Sequence, residues 1–337
     1  MDIKKLNDLI SENYIMCQKH KNAELYIYNY TNACQYAGNW NEITTMCRGL
    51  ILDNQGNIVS RPFNKFFNIE EHKTIPTLPF EVFEKMDGSL GILYWLDNKP
   101  YISTRGSFES EQALKATDIL YTKYSHIFDK LKKDRTYLFE IIYPENKIVL
   151  DYDFEDIILL AVIDNQTGLD LPLEDIGFQI VKKYDFNDLT TLKSLNWDNK
   201  EGFVVKFSNS FRVKVKFAEY LRLHNILTNT STLTIWENLK DNKSLDEIIL
   251  AVPDEFFDWV KKTVKELNDK YSLIENECKS NFKMFNTRKE CAEYYKTKKY
   301  SSILFAMMDG KDYSKIIWKI IRPEFSKPFK TYVETTK

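Results

Sequence analysis

The feature that most constrains the fold is a succession of short apolar runs, rich in β-branched and aromatic residues, that are separated by turn-forming residues. Clusters of Asn, Asp, Gly and Pro divide the segments 49–62, 91–104, 137–152 and 157–171 into pairs of such runs. Two strands joined by a tight turn form a hairpin, and successive hairpins build antiparallel sheets. The N-terminal two thirds are therefore predicted to contain antiparallel sheets rather than a doubly wound parallel sheet.

Helical spacing occurs at both ends of this region and once within it. Residues 1–16 place Ile3, Leu6 and Ile10 on one helical face, and residues 108–132 repeat apolar side chains at the same period. Beyond residue 221 the strand pattern fades, and helical spacing is found at Phe256, Val260, Val264 and Leu267 and at Tyr313, Ile316, Ile317 and Ile320, before Pro323. The prediction is an α+β domain over residues 1–221, followed by an all-helical domain over residues 222–337.

Composition limits the classes of function. The chain has 337 residues, of which 43% are hydrophobic and 28% are charged, as is typical of a soluble globular protein. Its formal net charge of −2 excludes a protein that is basic throughout. Residues 222–337 nevertheless carry 21 Lys and Arg against 17 Asp and Glu, so the excess positive charge lies in the helical part.

The cysteines and the apolar segments indicate the cellular compartment. The five cysteines form no C-x-x-C pair and are odd in number, which favours free thiols in a reducing environment. No apolar run approaches the roughly 18 residues of a membrane span, and the N-terminus lacks the apolar core of a signal peptide. These features predict a cytoplasmic protein with no membrane partner.

The sharpest local signal is the pentapeptide Lys-Met-Asp-Gly-Ser, from Lys85 to Ser89, which follows a strand-like run at 80–83. Gly88 permits a turn and a close approach of the backbone to a ligand. A lysine held at such a turn can act as a nucleophile when its amine is neutral. A charged turn between two strands explains the pentapeptide equally well.

A second signal is the strict alternation of basic and apolar residues over 211–217. On a strand, one face would carry Val213, Val215 and Phe217, and the other would carry Arg212, Lys214 and Lys216. Two or three cations on one face suit a polyphosphate. The solvent-exposed face of an edge strand is the favoured alternative, because lysines there discourage aggregation.

Two carboxylates lie in or beside apolar strands. Glu140 lies within Leu-Phe-Glu-Ile-Ile, and Glu201 precedes Gly-Phe-Val-Val. A charge among apolar side chains is costly unless it is paired or binds a metal. Together with Asp87, these residues could hold Mg²⁺, which prefers oxygen ligands and usually retains several waters. An outward orientation on a half-exposed sheet is the alternative.

Taken in order, these segments resemble the covalent nucleotidyltransferase superfamily, and within it the RNA ligase 1 family of bacteriophages. The matching segments are 47–49, 60–68, 85–89, 103–107, 139–150, 201–204 and 214–220, which read CRG, SRPFNKFFN, KMDGS, STRGS, FEIIYPENKIVL, EGFV and KVKFAEY. The match extends from about Tyr28 to Tyr220 in the family's order and spacing. It implies a nucleotidyltransferase (ATP-grasp-like ligase) domain of antiparallel sheets with flanking helices, followed by a helical domain.

The resemblance also implies a reaction, in which Lys85 attacks the α-phosphorus of ATP to form lysyl-AMP and release pyrophosphate. AMP then passes to an RNA 5′-phosphate, and a 3′-hydroxyl displaces it to join the two ends. Carboxylates beside a lysine keep it protonated, whereas a divalent cation among Asp87, Glu140 and Glu201 would remove that conflict. Mg²⁺ or Mn²⁺ is therefore expected to be required, and Lys85→Arg is expected to fail because arginine stays protonated.

The same resemblance assigns the other site residues. The expected ATP contacts are Tyr28, Arg48, Lys65, Phe67, Arg105, Glu140, Glu201, Val204, Lys214 and Lys216. Arg105 stands where the family more often has lysine, so its geometry differs. Tyr220 matches a position that is important for the ligation step. Asp246 is a further candidate metal ligand, beside Asp87, Glu140 and Glu201.

In the helical domain, the resemblance implies a role in choosing the RNA substrate. Basic residues at Lys279, Lys283, Arg288, Lys289, Lys296, Lys298 and Lys299 are interleaved with Phe282, Phe285, Tyr294 and Tyr295. Such a pattern can bind an RNA backbone and stack its bases, although an amphipathic helix pair with its aromatic residues in the core is favoured. The expected partner is RNA with 5′-phosphate and 3′-hydroxyl ends, single-stranded or tRNA, bound by a monomer that acts in RNA repair.

Two other interpretations compete with this one. A DNA ligase or an mRNA capping enzyme is disfavoured by Ser89, because DNA ligases typically have an arginine further along that motif, and by the helical tail, because both classes usually append a barrel. An RNA-binding relative that has lost the chemistry is disfavoured because the lysines and carboxylates of all the motifs are present.

Overall fold

A computed structural model describes residues 2–146, 148–150, 152–228, 230–251 and 256–326 of the chain. Positions 147 and 151 of the third predicted hairpin, and the end of the predicted helical domain at 327–337, lie outside the described residues. The chain divides into two compact units, Met1–His224 and Asn225–Lys337. The functional roles predicted for the two domains stay predictions.

Fourteen strands are found among the described residues. They are β1 Ile15–Lys19, β2 Leu25–Tyr30, β3 Arg48–Asp53, β4 Ile58–Ser60, β5 Phe67–Asn68, β6 Phe80–Lys85, β7 Ser89–Leu96, β8 Lys99–Ser103, β9 Arg135–Ile142, β10 Asp156–Asp164, β11 Asp170–Leu171, β12 Lys183–Tyr184, β13 Gly202–Phe207 and β14 Arg212–Lys216.

Twelve α-helices are found in the same part of the chain. They are α1 Ile3–Ser11, α2 Asn32–Ala37, α3 Glu42–Met46, α4 Glu111–Tyr124, α5 Leu189–Ser194, α6 Ala218–Thr228, α7 Thr232–Lys240, α8 Asp246–Ala251, α9 Phe257–Asn281, α10 Arg288–Lys296, α11 Ser301–Met308 and α12 Ser314–Ile320. Short 3₁₀ helices cover Ile69–Glu71, Ser125–Lys130 and Pro144–Asn146.

The strands of the first unit form three sheets. The first sheet has the order β1-β2-β3-β4, the second β11-β10-β9-β7-β8, and the third β12-β6-β13-β14-β5. All neighbouring pairs are antiparallel except β5 and β14. The predicted α+β architecture, with antiparallel sheets and a helical C-terminal region, is confirmed.

Three of the four predicted hairpins are confirmed, namely β3–β4, β7–β8 and β10–β11. The tightest of them has the two-residue loop Asp97-Asn98, whose φ angles of 48° and 63° are both left-handed. Asp and Asn tolerate this conformation better than most residues, and it gives a turn whose twist matches that of the flanking strands. Side-chain chemistry in the loop therefore fixes the register of this hairpin.

The hairpin predicted over 137–152 is wrong. After β9 the chain makes a 3₁₀ turn at Pro144–Asn146, and the backbone N–H groups of Val149 and Leu150 donate to the Asp87 carboxylate instead of to a strand. The antiparallel partners of β9 are β7 and β10. A buried carboxylate distant in sequence thus takes the hydrogen bonds that a second hairpin arm would need.

In the first unit, apolar side chains on the two faces of the second sheet belong to two separate clusters of the core. Helix α4 covers one face of the second sheet, where Ile119 and Leu120 pack with Phe139 and Leu159. The opposite face presents Leu138, together with Ile92, Ala161 and Ile163 of neighbouring strands. Helix α1 covers the first sheet, with Leu6 against Leu50 and Leu52.

All the regular secondary structure among the described residues of the second unit is helical. Val260, Val264 and Leu267 of α9 are buried, as the helical spacing predicts. The Trp236 indole N–H donates to the Trp318 carbonyl oxygen at 2.9 Å, which ties α7 to α12. No helix in the described part of the chain is both long enough and apolar enough to cross a membrane.

Candidate active site

An open cavity lies between the second and third sheets, with about 1000 Å³ of free space including its mouth. Its cationic lining residues are Arg48, Lys85, Lys206, Arg212, Lys214 and Lys216, and its acidic ones are Glu84, Glu140 and Asp170. Apolar side chains, including Phe66, Phe83 and Val204, complete the walls. A basic cavity with apolar walls suits a ligand that has both a flat apolar ring and a phosphate chain.

The register of the third sheet places these cations in rows. Across β6, β13 and β14 the aligned residues are Lys85, Gly202 and Lys216 in one row, Phe83, Val204 and Lys214 in the next, and Glu81, Lys206 and Arg212 in the third. On β14, Val213 and Val215 are buried on the opposite face. The predicted alternation of this strand is therefore confirmed, and its basic face belongs to the cavity.

Lys85 ends β6, and its ammonium group lies 2.7 Å from a carboxylate oxygen of Glu201. The same oxygen lies 3.7 Å from the Lys216 ammonium group. Glu201 is only 3% exposed, and burial raises the pKa of its carboxyl, an effect that the two ammonium groups oppose. The buried Glu201 carboxylate thus lies between the two ammonium groups of this row, those of Lys85 and Lys216.

Gly202 lies between Lys85 and Lys216 in the row and has no side chain to separate them. Its φ of +149° is one that other residues rarely adopt, and a Cβ atom would lie 2.0 Å from the Val215 carbonyl oxygen. Glycine is therefore required at this position, because a side chain would overlap the backbone of β14.

Glu140 lies on β9 and faces Lys85 across the cavity. Burial raises the pKa of its carboxyl to about 7, and the negative charge of Glu201 acts in the same direction, whereas the Lys85 charge opposes both. One Glu140 oxygen accepts the Gly88 backbone N–H at 3.0 Å. Because a Cβ atom at residue 88 would lie 2.6 Å from the Ile141 carbonyl oxygen, glycine permits this close approach.

Asp87 is not among the residues that line the cavity, and its predicted role as a metal ligand with Glu140 and Glu201 stays a prediction. Its side chain is 3% exposed and accepts hydrogen bonds from the Tyr220 hydroxyl and from the N–H groups of Val149 and Leu150, each at 2.8 Å. Within the described residues, no group of three or more Asp, Glu, His or Cys side chains is arranged to hold a metal. Three donors already compensate the Asp87 charge without a metal.

The remaining candidate metal ligand, Asp246, begins α8 in the second unit. Its side chain is exposed and accepts a hydrogen bond from the Ser244 hydroxyl at 2.6 Å. Such an Asp near a helix start commonly stabilises the helix terminus. Its predicted role as a metal ligand stays a prediction.

Three predicted ATP contacts lie around Tyr30 rather than on the cavity wall. The Lys65 ammonium group lies 5.4 to 5.6 Å from the ring centroids of Tyr30, Trp40 and Phe67, and Arg105 donates to the Tyr30 hydroxyl at 3.0 Å. Lys65 and Phe67 line a neighbouring depression that shares Phe63, Phe66 and Arg212 with the cavity. A ligand in the cavity could reach these cations only by extending towards that depression.

Arg48, at the start of β3, connects the cavity with this aromatic cluster. Burial lowers the pKa of its guanidinium, and the neighbouring charge of Arg105 adds to that effect, while the Tyr30 hydroxyl opposes it. Its guanidinium carbon lies 6.0 Å from the centroid of the Phe66 ring. Two adjacent half-buried cations repel each other, so an anionic ligand would relieve the repulsion between them.

Tyr28 is not at the cavity, so its position does not support the predicted ATP contact. It packs with Leu6, Cys47 and Leu50 in the core beneath α1. The pairing of β2 with β3 shifts register between Tyr28 and Asn29, as in a β-bulge. A bulge changes the direction of the residues that follow it, so Tyr30 contacts the cations and Tyr28 does not.

Sequence reasoning missed three residues of this region. Lys206 could have been found, because it follows Val204 by two positions on β13 and so shares its face. Tyr30 was obscured by the bulge. Trp40 lies in a loop between α2 and α3, and no local pattern connects it with Lys65.

Comparison with known proteins agrees with this fold. The model of a protein family described as RNA ligase matches residues 46–220, just over half of the chain. A putative RNA ligase of Thermovibrio ammonificans is 30% identical over 237 residues, which cover 62% of this chain and 59% of that protein. The RNA ligase of Rhodothermus phage RM378 is 25% identical, with 80% of this chain and 77% of that protein covered.

A solved archaeal ATP-dependent RNA ligase matches 92% of this chain and 96% of that protein, with 14% identity and a TM-score of 0.51. This likeness shows the fold, which is that of the nucleotidyltransferase ligases. The chain belongs to the RNA ligase family of the phage RNA ligase 1 type. It spans less than two thirds of the length of the Thermovibrio protein.

Proposed function

We propose that the protein is an ATP-dependent RNA ligase that captures AMP on Lys85 and uses it to join RNA ends. The observation that carries this proposal is the position of the Lys85 amine, which lies at the cavity wall, 2.7 Å from the buried Glu201 carboxylate and in one row with Lys216. A nucleophilic lysine needs a group that takes its proton and cations that stabilise the phosphate it attacks. The site supplies both kinds of group.

The nucleotide would lie with its base against the apolar wall and its phosphates along β14. Val204 and Phe83 neighbour Lys214 and Lys85 across the sheet, so an adenine ring there would leave the α-phosphate beside the lysines. As the amine attacks, a bond forms from Nζ to the α-phosphorus, pyrophosphate leaves with the bonding electrons, and Glu201 accepts the amine proton. Burial raises the pKa of Glu201, which makes it a better proton acceptor.

The donor set also fits a divalent cation. The half-buried Glu140 lines the cavity, and the buried Glu201 adjoins it. Mg²⁺ or Mn²⁺ is commonly held by one or two carboxylates, with waters and substrate phosphates completing the shell. Such an ion would neutralise the charge that develops on the phosphates. Asp87 and Asp246 are not needed for this arrangement.

The second unit supplies a surface suited to single-stranded RNA. Phe285 is 40% exposed and its ring lies 5.3 Å from that of Tyr294, which has the Lys283 and Lys298 ammonium groups 5.7 and 4.6 Å from its centroid. Tyr295, in contrast, is buried and donates its hydroxyl to the Lys283 carbonyl oxygen. The aromatic residues are thus divided between core and surface, and we assign the exposed Phe285 and the half-buried Tyr294 to RNA stacking.

The proposal is tested by incubating the protein with a divalent cation and either ATP or GTP, each labelled on the α-phosphate. Label from ATP should become covalently attached to the wild-type chain, through a bond that withstands denaturation and alkali but is cleaved by acid, as expected of a phosphoramidate. Lys85→Ala and Lys85→Arg should each reduce it by a factor of about 100 or more, because neither supplies a neutral amine. Lys193→Ala, which removes an exposed lysine of α5, is the matched control. Attachment of GMP instead of AMP would indicate a capping enzyme.

Substrate choice is tested with 5′-phosphorylated RNA that is single-stranded, nicked or looped at a hairpin. Joining of single-stranded or loop ends, with consumption of ATP, is the expected result. An unlabelled wild-type chain, or label that survives in Lys85→Ala, contradicts the proposed chemistry. A role in tRNA repair, a monomeric state and a cytoplasmic location stay predictions.

A further inference from the structure

The loop that follows Lys85 is bound by a network of hydrogen bonds centred on Asp87, which does not line the cavity. The Asp87 carboxylate accepts three hydrogen bonds, from the Tyr220 hydroxyl and from the backbone N–H groups of Val149 and Leu150. Tyr220 is itself 4% exposed. A buried carboxylate with three donors is a stable charged group, and it holds together three segments that are distant in sequence.

Residues 87, 88 and 89, which follow the nucleophile in the turn, are each fixed by one hydrogen bond. The Asp87 backbone N–H donates to the Tyr152 hydroxyl at 2.9 Å, and the Gly88 N–H donates to Glu140 at 3.0 Å. The Ser89 hydroxyl donates to the Asn146 side-chain oxygen at 3.0 Å. Three consecutive residues are therefore attached to the segment 140–152, which restricts the direction in which β6 delivers the Lys85 amine.

Tyr220 connects this network with the phosphate-facing strand as well. Its hydroxyl binds Asp87, while its ring lies 5.8 Å from the Lys216 ammonium group. One side chain thus touches both the loop that follows Lys85 and the cation at the end of β14. A shift of the Tyr220 side chain would therefore change the distance between the Lys85 amine and the Lys216 ammonium group. Lys216 is expected to stabilise the phosphate that Lys85 attacks.

We propose that Asp87 and Tyr220 are positioning residues that orient Lys85 for attack, and that Asp87 is not a metal ligand. This assignment rests on the proposed function, since it presumes that Lys85 is the nucleophile. Three of the roughly four lone-pair positions of the Asp87 carboxylate already accept hydrogen bonds from buried donors, and Asp87 does not line the cavity in which the phosphates would lie. A cation at Asp87 would have to compete with those donors, which favours the positioning role.

The test uses two conservative variants of the full chain. Tyr220→Phe keeps the ring beside Lys216 and removes only the hydroxyl, and Asp87→Asn keeps an oxygen that can accept the two backbone N–H groups. For each we expect kcat of AMP attachment to fall about tenfold, because small misplacements of a nucleophile are costly. The KM for ATP and the divalent-cation concentration giving half-maximal rate should each change by less than about twofold, since neither ligand touches the pair.

Two further measurements separate positioning from a general loss of structure. The double variant should lose less than the product of the two single effects, because both substitutions break the same hydrogen bond. Tyr26→Phe is the matched control, since its hydroxyl binds Glu24 at 2.8 Å on the first sheet, away from the loop. Circular dichroism melts of all the variants report the folded fraction at the assay temperature.

The outcomes are distinct. If the wild-type chain is labelled but kcat is unchanged in Tyr220→Phe, the positioning assignment is overturned and the proposed function stands. The same holds if the loss of kcat is fully explained by a lower folded fraction of the variant. A tenfold rise in the cation concentration needed by Asp87→Asn, with kcat restored at saturation, overturns it in favour of a metal ligand. An unlabelled wild-type chain overturns the proposed function and this assignment together.

Discussion

At the scale of single residues, Glu140 predicts how stability depends on pH. Burial raises its pKa from the usual glutamate range to about 7. The folded chain therefore binds more protons than the unfolded chain between about pH 4.5 and 7. The free energy of unfolding should consequently fall as pH rises through this window, by up to about 3 kcal/mol. Urea unfolding in metal-free buffer at a series of pH values measures this slope.

Glu140→Gln supplies the comparison for that experiment. Glutamine keeps the size of the side chain and an oxygen that can accept the Gly88 N–H, but it has no proton to lose. Its unfolding free energy should therefore fall less steeply over the same pH range. Equal slopes for the wild-type chain and the variant would show that Glu140 does not carry the effect.

The residues of the site were predictable to the extent that strand alternation orients them. Lys214 and Lys216 share one face of β14 as the alternation of 211–217 predicts, although that face lines the cavity and is not the solvent-exposed edge that the alternation alone favoured. Lys85 and Glu201 meet because β6 pairs with β13. Asp87 was not predictable, because its donors lie more than 60 positions away along the chain. A local sequence pattern predicts on which face of a strand a side chain lies. It does not predict which distant segments will donate hydrogen bonds to a residue in a turn.

At the scale of secondary-structure elements, the third sheet depends on Gly202. Alanine at this position would have to adopt a φ of +149° and would place its Cβ atom 2.0 Å from the Val215 carbonyl oxygen, within the β13–β14 pair. We expect Gly202→Ala to lower the free energy of unfolding by about 3 kcal/mol or more, from backbone strain and steric overlap. AMP attachment should be lost with it, because Lys85 and Lys216 would be displaced.

Gly38→Ala is the matched substitution for this prediction. Gly38 ends α2 with a φ of +65°, and a Cβ atom there would have no neighbour within 4 Å. Its replacement should cost only about 1 kcal/mol, from the left-handed conformation alone. Similar losses in the two variants, measured by urea unfolding, would show that overlap at residue 202 is relieved by movement of the strands.

Hairpins could be predicted from the sequence where the turn residues themselves determine the pairing of the two strands. The two left-handed residues of the Asp97-Asn98 loop determine the turn of the β7–β8 hairpin, so that hairpin was predicted. The segment 137–152 has an equally good turn signal at Pro144–Asn146, but the hydrogen bonds of its second arm go to Asp87. Turn residues show that the chain reverses, whereas the choice of a strand partner is made by the whole fold.

At the scale of the whole molecule, the proposed function divides the two reactants between the two units. ATP would bind in the first unit, whose described residues include the cavity, and RNA would bind the exposed aromatic residues and lysines of the second unit. A net charge of −2 gives no general attraction to nucleic acid. Salt-sensitive binding should therefore arise from Lys283 and Lys298, which lie beside Tyr294, and from Lys299, which lies over the Tyr300 ring.

Replacing these three lysines together by glutamine should weaken binding of single-stranded RNA and leave AMP attachment unchanged. Each phosphate contact contributes about 0.7 to the slope of log affinity against log salt concentration, so the slope should fall by about 2. Fluorescence anisotropy of 5′-phosphorylated RNA over a salt series measures it. Glutamine at the exposed Lys262, Lys265 and Lys270 of α9 makes the same change in net charge elsewhere. An equal change of slope in both triple variants would mean that RNA responds to net charge rather than to this surface.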